Sequence, residues 1–425
     1  VYFYNFFIYQ GVVYNSLFFN KAFFLHLKKR MYRFVLKRLN DLFVLFLLVI
    51  VSGCGGGDSS SPPPPPQKTT TDQIVIIQPG GGGGTGSGVT LSLISLPQAL
   101  FQSSAVTYAD PSTGNSYIYV IGGAYIDPAS PDDPVRVNTV YTFKIDPNTG
   151  AVLSRRLELN GLPQSLRGHS AVIYNNAIYV IGGIGTGGFQ KTIYRSVIIP
   201  PSSPNDYPVL GSWNRVGYLP VEETGHASVV LGNWLYVIGG IESGFPDPDC
   251  VFTQNCQGSQ TTVFSNKIYG YNLTSGFSTS TAYTMPKKLF TPSAVAIPAT
   301  PMDQIWVLGG WDGTANSTKA FLFNVSNGVL SCDPLCSSNT VPYDNGVSKA
   351  VGLFLSGLNE MFLIGGVSGS LTPPDEILRR DIFSSFPSSP LDWNRETSLP
   401  QTVEYFSAAS AGDAIYVFGG LVVTP

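Results

Sequence analysis

Side chains able to do chemistry are scarce in this sequence. Only 12% of its 425 residues are charged, and it has three histidines and five cysteines. A subset of charged residues and two of the histidines recur in one place, the short stretch after a Leu-Pro pair or its equivalent. Arg167 and His169 stand there, then Glu222, Glu223 and His226, then Lys287 and Lys288, then Asp344, and last Glu404. Carboxylates and bases held around one opening would suit acid–base catalysis, or recognition of a ligand rich in polar groups. No Ser–His–Asp arrangement is present, and the glycine runs lack the strand–helix setting of a phosphate loop.

The elements that position these residues are repeated. The run Ile178-Tyr179-Val180-Ile181 ends in Gly182-Gly183, and the same shape closes on Gly122-Gly123, Gly239-Gly240, Gly309-Gly310, Gly365-Gly366 and Gly419-Gly420. An aromatic stands three residues before each first glycine: Tyr119, Tyr179, Tyr236, Trp306, Phe362 and Tyr416. The Pro-containing signature precedes each pair, starting at Leu96, Leu162, Leu219, Met285, Val341 and Leu399, and it reads without gaps over 13 residues. A period of 54 to 70 residues between glycine pairs marks a repeat architecture.

Each unit reads as four antiparallel strands, A to D. Strand A is the alternating run after the Pro, and strand B is the aliphatic run into the glycines, buried on both faces. Strand C is β-branched and aromatic. Strand D carries Trp213 or Trp393 and ends at the next Leu-Pro. The glycine pair allows positive φ and a close backbone approach.

This pattern resembles the kelch repeat over roughly residues 90 to 420. The resemblance rests on the glycine pairs, their upstream aromatics, Gly168-His169, Gly225-His226 and the two tryptophans. It implies an all-β, six-bladed β-propeller. The long period implies long loops. The last glycine pair is followed only by Leu421 to Pro425, so the sixth unit lacks strands C and D. Asp72 to Ile77 and Thr90 to Ser95 are expected to supply them, leaving no open sheet edge. A seven-bladed propeller cut short is the rival arrangement.

In such blades the B–C and D–A connections share one face. The long B–C loops are Ala124 to Arg136, Ile241 to Ser265 and Val367 to Pro374, and the loop face carries Tyr125 and Trp311. The D–A turns would ring the central mouth with Arg167, Glu222, Glu223, Lys287, Lys288, Asp344 and Glu404, the candidate binding residues. Kelch propellers of the galactose oxidase type hold copper through His and Tyr. Here His169 and His226 belong to the repeat signature itself, so no metal or cofactor is expected. The resemblance implies a protein- or glycan-binding module rather than an enzyme; the alternative is a sugar-processing enzyme like the bacterial sialic-acid mutarotases, which would need an acid and a base converging on one pocket at the channel mouth.

The leader adds a location. From Met31 the chain reads MYRFVLKRLNDLFVLFLLVIVSGC, with Arg33, Lys37 and Arg38 before an apolar run from Leu42 to Val51. That run is too short to span a bilayer and suits a signal peptide. Val51-Ser52-Gly53-Cys54 resembles the lipobox of bacterial lipoproteins, which implies lipidation of Cys54 and, with Gly55 following, the outer membrane. The segments are then a mis-called start or extra apolar segment at 1–30, a signal peptide at 31–53, a Gly/Ser/Pro-rich tether at 54–71 and the propeller at 72–425. Net charge is −3 with no basic patch, so nucleic acid is not an expected partner and a monomer is. The remaining cysteines fall as close pairs, Cys250 with Cys256 and Cys332 with Cys336. In an exported domain these read as two disulfides. Each pair would sit in one loop, the second between strands C and D of unit four.

Overall fold

The computed structural model describes residues 67–78, 90–243, 262–277, 280–299, 302–332, 339–369, 376–385 and 391–424. Among them stand six antiparallel blade sheets, four of four strands and two of five, and no α-helix. We number the blades by their innermost strands, A: Ser104–Ala109, Ser170–Tyr174, Ala227–Leu231, Ser293–Ile297, Val351–Leu355 and Ser407–Ala411. Blade 2 continues outward through Ala177–Ile181 and Thr192–Ile199 to Asn214–Tyr218. Each A strand touches those of both neighbouring blades, and the sixth touches the first, so the ring closes.

The sequence pattern explains the packing. Strand B of blade 2 is buried throughout, because Ile178 and Val180 meet the core shared with blade 1 while Tyr179 and Ile181 meet the core shared with blade 3. The glycine pair after it carries the next blade. Gly182 and Gly183 have φ of 58° and 96°, and a Cβ on Gly182 would lie 2.6 Å from the Glu223 carbonyl oxygen. No side chain fits there. The second glycine donates its N–H to the following blade's signature at five junctions: Gly123 to Leu166, Gly183 to Glu223, Gly240 to Leu289, Gly310 to Val347 and Gly420 to Leu100. The upstream aromatic helps too, since the Tyr416 hydroxyl donates to the Gly150 carbonyl and that of Tyr236 to Gly328. The two tryptophans stand just before strand D and reach back a blade, with Trp213 Nε1 donating to Asn160 O and Trp393 Nε1 to Thr340 O.

Blade 6 is assembled from both ends of the chain, as the missing strands require. Gln73–Gln78 pairs with Ala414–Phe418, Ile74 lying opposite Phe418 and Ile77 opposite Ile415, and Thr90–Ser95 forms the outer strand. One boundary moves. Pairing already begins at Gln67–Thr70, against Leu421–Thr424, so the tether expected over 54–71 stops short of Gln67. The reason is the repeat itself. Blades 1, 2, 3 and 5 extend their B–C connection as a two-stranded ribbon past the glycine kink, and in blade 6 Gln67–Thr70 and Leu421–Thr424 make that ribbon together.

The same ribbons correct the expectation of loops. Ala124–Asp127 pairs with Ser130–Arg136, Ile241–Ser243 with Val263–Phe264, and in blade 5 Glu360–Gly369 runs on beside Glu376–Ser385. Residues 244–261 and 370–374, within two of the expected loops, lie outside the described residues. So do Cys54, Cys250, Cys256 and Cys336. Cys332 is not in the C–D connection of blade 4. That connection is the tight turn at Asn327 and Gly328, both at positive φ, and Cys332 ends the strand Val329–Cys332 beyond it. Asn-Gly at a two-residue hairpin turn is the stronger local signal, and it sets the start of strand D.

Candidate functional site

The D–A connections carry a ring that the repeat builds six times. Phe101, Arg167, Thr224, Phe290, Ser348 and Glu404 each bridge to the residue after a glycine pair. The next residue in every blade has positive φ: Gln102, Gly168, Gly225, Thr291, Lys349 and Tyr405, all between 46° and 62°. Their backbones join head to tail around the axis. Gln102 N–H donates to Tyr405 O, Gly168 to Gln102, Gly225 to Gly168, Thr291 to Gly225 and Lys349 to Thr291. Left-handed backbone costs a non-glycine residue about 1–2 kcal/mol. Four of the six positions bear that cost, and such strain persists where the surrounding structure fixes the conformation.

This ring surrounds a cavity of about 150 Å³ lined by Gln102, Arg167, His169, Thr291, Lys349 and Tyr405, with Ile184, Phe189 and Ile241 from the ribbons above. Arg167 is 1% exposed, and its Nη1 donates to Gln102 Oε1 at 2.6 Å. Lys349 Nζ lies 2.7 Å from Glu404 Oε2 and 4.3 Å from the centre of the Tyr405 ring. Below the cavity the A strands enclose a channel of about 520 Å³, walled by Ser, Thr, Ala and aliphatic residues together with Phe354 and Phe406, and His169 and His226 also line it. No Asp, Glu, Lys or Arg lines it among the described residues.

The histidines answer to packing. A Cβ on Gly122 would lie 2.8 Å from His169 Cε1, and one on Gly182 would lie 2.7 Å from His226 Cε1, so each imidazole fills the space beside the preceding blade's glycines. Burial pushes both down, His169 to about 4 and His226 to about 3, where the neighbouring His169 adds to the effect. His226 Nε2 pairs with Ser170 Oγ at 2.9 Å, and backbone hydrogen bonds to Ile121 at His169 and to Ile181 at His226 oppose the downward shift. No group of three His, Cys, Asp or Glu side chains suited to a metal occurs among the described residues.

The expected ring of charge separates into three sets. Arg167 lines the cavity, and Glu404 stands directly behind it through Lys349. Glu222, Lys287, Lys288 and Asp344 are exposed and line no part of it, with Lys287 bound to Asp312 at 3.1 Å. Glu223 is 1% exposed and is likewise absent from the wall. Tyr125 is half-buried in the blade 1 ribbon, and Trp311 is half-buried with its ring edge-on to Phe264 at 5.1 Å. Gln102, Thr291, Lys349 and Tyr405 went unrecognised. Their signal was the column after Arg167, where Gly168 and Gly225 already pointed to positive φ. Lys349 was hidden because the fifth copy is not free of gaps. Its bridge falls at Ser348, seven residues after Val341, whereas Arg167 is five after Leu162. Asn345 and Gly346 are the extra pair, and they carry Asp344 out of register.

No family model matches this chain. Among known proteins, alpha-scruin of Limulus polyphemus is 21% identical over 312 residues, which is 72% of this chain and 30% of scruin. Beta-scruin of the same animal is 35% identical over 75 residues, 18% of this chain and 7% of that protein. Kelch-like protein 41 of Homo sapiens is 27% identical over 128 residues, 30% of this chain and 19% of that protein. The chain thus spans less than a third of the length of each of these relatives. Among solved structures, that of YjhT superposes with a TM-score of 0.54 at 15% identity, covering 77% of this chain and 94% of the other. At that identity the likeness speaks for fold alone, and the fold is a kelch-type β-propeller.

Proposed function

We propose that this kelch-type propeller is a lipid-anchored binding module of the cell envelope, which recognises a protein or glycan partner on the face carrying the mouth and the ribbons. The observation behind this reading is the size and lining of the central spaces. The mouth cavity, at about 150 Å³, is small beside the roughly 300–1,000 Å³ of sites that engulf a small molecule. The channel is larger, but its described wall offers no carboxylate or amine. Turnover of a sugar, as in a mutarotase, needs an acid and a base converging on a space that admits the ring. Here Glu404 is fully buried against Lys349, and Glu223 stands apart from the wall. Arrays of glycans and envelope proteins, probed with the unit Pro65–Pro425, should return a specific partner. Blank arrays, together with accelerated anomer exchange of a sialic acid by proton NMR, would transfer the function to the enzyme reading.

The anchor and the disulfides belong to the same proposal. Cys54→Ser should move the protein from the membrane pellet to the soluble fraction. Wild-type protein without lipid by mass spectrometry would end that part of the reading. Non-reducing peptide mapping should join Cys250 to Cys256 and Cys332 to Cys336, and free thiols or a crossed pairing would reject it.

A further inference from the structure

We infer that the mouth cavity is a socket for one phenylalanine side chain, presented by a protein partner. The inference rests on the binding-module reading and chooses protein over glycan within it. Its volume, about 150 Å³, is that of a cavity with Leu, Ile and Phe walls that takes up benzene. One water needs only roughly 10–15 Å³. A sugar ring with its substituents is bulkier than benzene, so the ring enters on the end of a partner whose bulk stays outside.

The wall suits a flat apolar group. Phe189 comes from the blade 2 ribbon, Phe290 from the turn into blade 4, and Tyr405 and Phe406 from the turn into blade 6. Aromatic rings thus line the cavity from alternate blades, and Ile184 and Ile241 add aliphatic wall from blades 2 and 3. A ring among rings gains offset and edge-on contacts beyond the area it buries, and an aliphatic side chain does not. The cations of the wall are engaged within the protein. Arg167 donates to Gln102 Oε1 at 2.6 Å, and Lys349 Nζ lies 2.7 Å from Glu404 Oε2 and 4.3 Å from the centre of the Tyr405 ring. The occupant therefore need not be a counter-ion, and a neutral group fits. Tyrosine would bring a hydroxyl, which is costly to bury without a partner. Phenylalanine carries no such group.

The test uses the full-length chain in lipid nanodiscs, with empty nanodiscs as the blank. N-acetyl-phenylalanine amide is titrated in and followed by saturation-transfer NMR. Its binding should saturate, and the amides of cyclohexylalanine and tyrosine should each bind several-fold more weakly. Phe189→Ala should weaken the phenylalanine amide about tenfold. Phe189 is half-buried in a ribbon, so the variant leaves the blade cores whole. Should it nevertheless melt early, Phe189→Leu keeps most of the volume, loses the ring, and should still bind several-fold more weakly. No saturation, cyclohexylalanine amide as tight as phenylalanine amide, or a Phe189→Leu variant as tight as wild type would each overturn the inference. An array protein that the phenylalanine amide does not displace, or a glycan found there instead of a protein, would also overturn it while leaving the binding module standing. Saturable binding of the amide with blank arrays would support the phenyl socket and count against the binding module.

Discussion

Deleting residues 67–95 should abolish the cooperative thermal transition of the propeller, while deleting 55–64 should leave its melting temperature within a few degrees. The first deletion removes strands C and D of blade 6. Ile74, Val75, Ile76 and Ile77 are all 5% exposed or less, and burying such side chains contributes about 1.5–3 kcal/mol each. Their sum rivals the about 5–15 kcal/mol that stabilises a whole domain. The deletion also strips the partner from Ala414–Phe418, a strand buried along its length, and exposes an apolar edge open to aggregation. The second deletion removes a Gly-, Ser- and Pro-rich segment whose composition buries little. Circular dichroism melts of the three proteins decide the matter. Equal transitions in all three would show that the N-terminal strands do not hold the ring together.

Glu223→Gln should remove a loss of stability that the wild type suffers as pH rises above neutrality. Glu223 is 1% exposed, and neither carboxylate oxygen has a hydrogen bond of good geometry. Burial pushes its carboxyl up to about 9, the charge of Glu242 adds to the rise, and the Ser265 hydroxyl opposes it. The folded protein therefore keeps a proton that the unfolded chain releases near 4.5. Between those values the unfolded state binds fewer protons, so stability falls as pH rises, by about 1.4 kcal/mol per unit. At pH 7 the accumulated loss is on the order of 3 kcal/mol.

His169 and His226 act in the opposite sense. Their folded values of about 4 and about 3 lie below the ordinary 6.5, so the unfolded chain binds the extra protons below 6.5 and stability rises with pH up to that point. Two rising contributions against one falling give a maximum near pH 6.5, followed by a decline. In Glu223→Gln the decline should become a plateau. The measurement is melting temperature from pH 5 to 9 for both proteins. Parallel declines above pH 6.5 would show that Glu223 is ionised in the folded state or titrates normally.

The sequence by itself determined the blade, the number of copies and the way the ring closes. Those features rest on local rules. A strand buried on both faces must be apolar at every position, a chain that turns sharply under a neighbouring backbone needs Gly182 and Gly183, and a unit lacking two strands must find them elsewhere. It also located Arg167 and Glu404, because charge in a charge-poor repeat stands out. What only the tertiary structure decided was which residues of that stretch face the axis. Glu222 and Glu223 are adjacent, yet one is exposed and the other buried, since the chain alternates sides as it passes the glycines of the blade before. Lys349 entered the ring through an insertion of two residues that a fixed spacing could not follow. Gln102, Thr291 and Tyr405 share no chemistry with the glycines of their column. They share a left-handed backbone imposed by hydrogen bonds from blade to blade, and bonds between residues so far apart in the chain leave little trace in the types of the residues that make them.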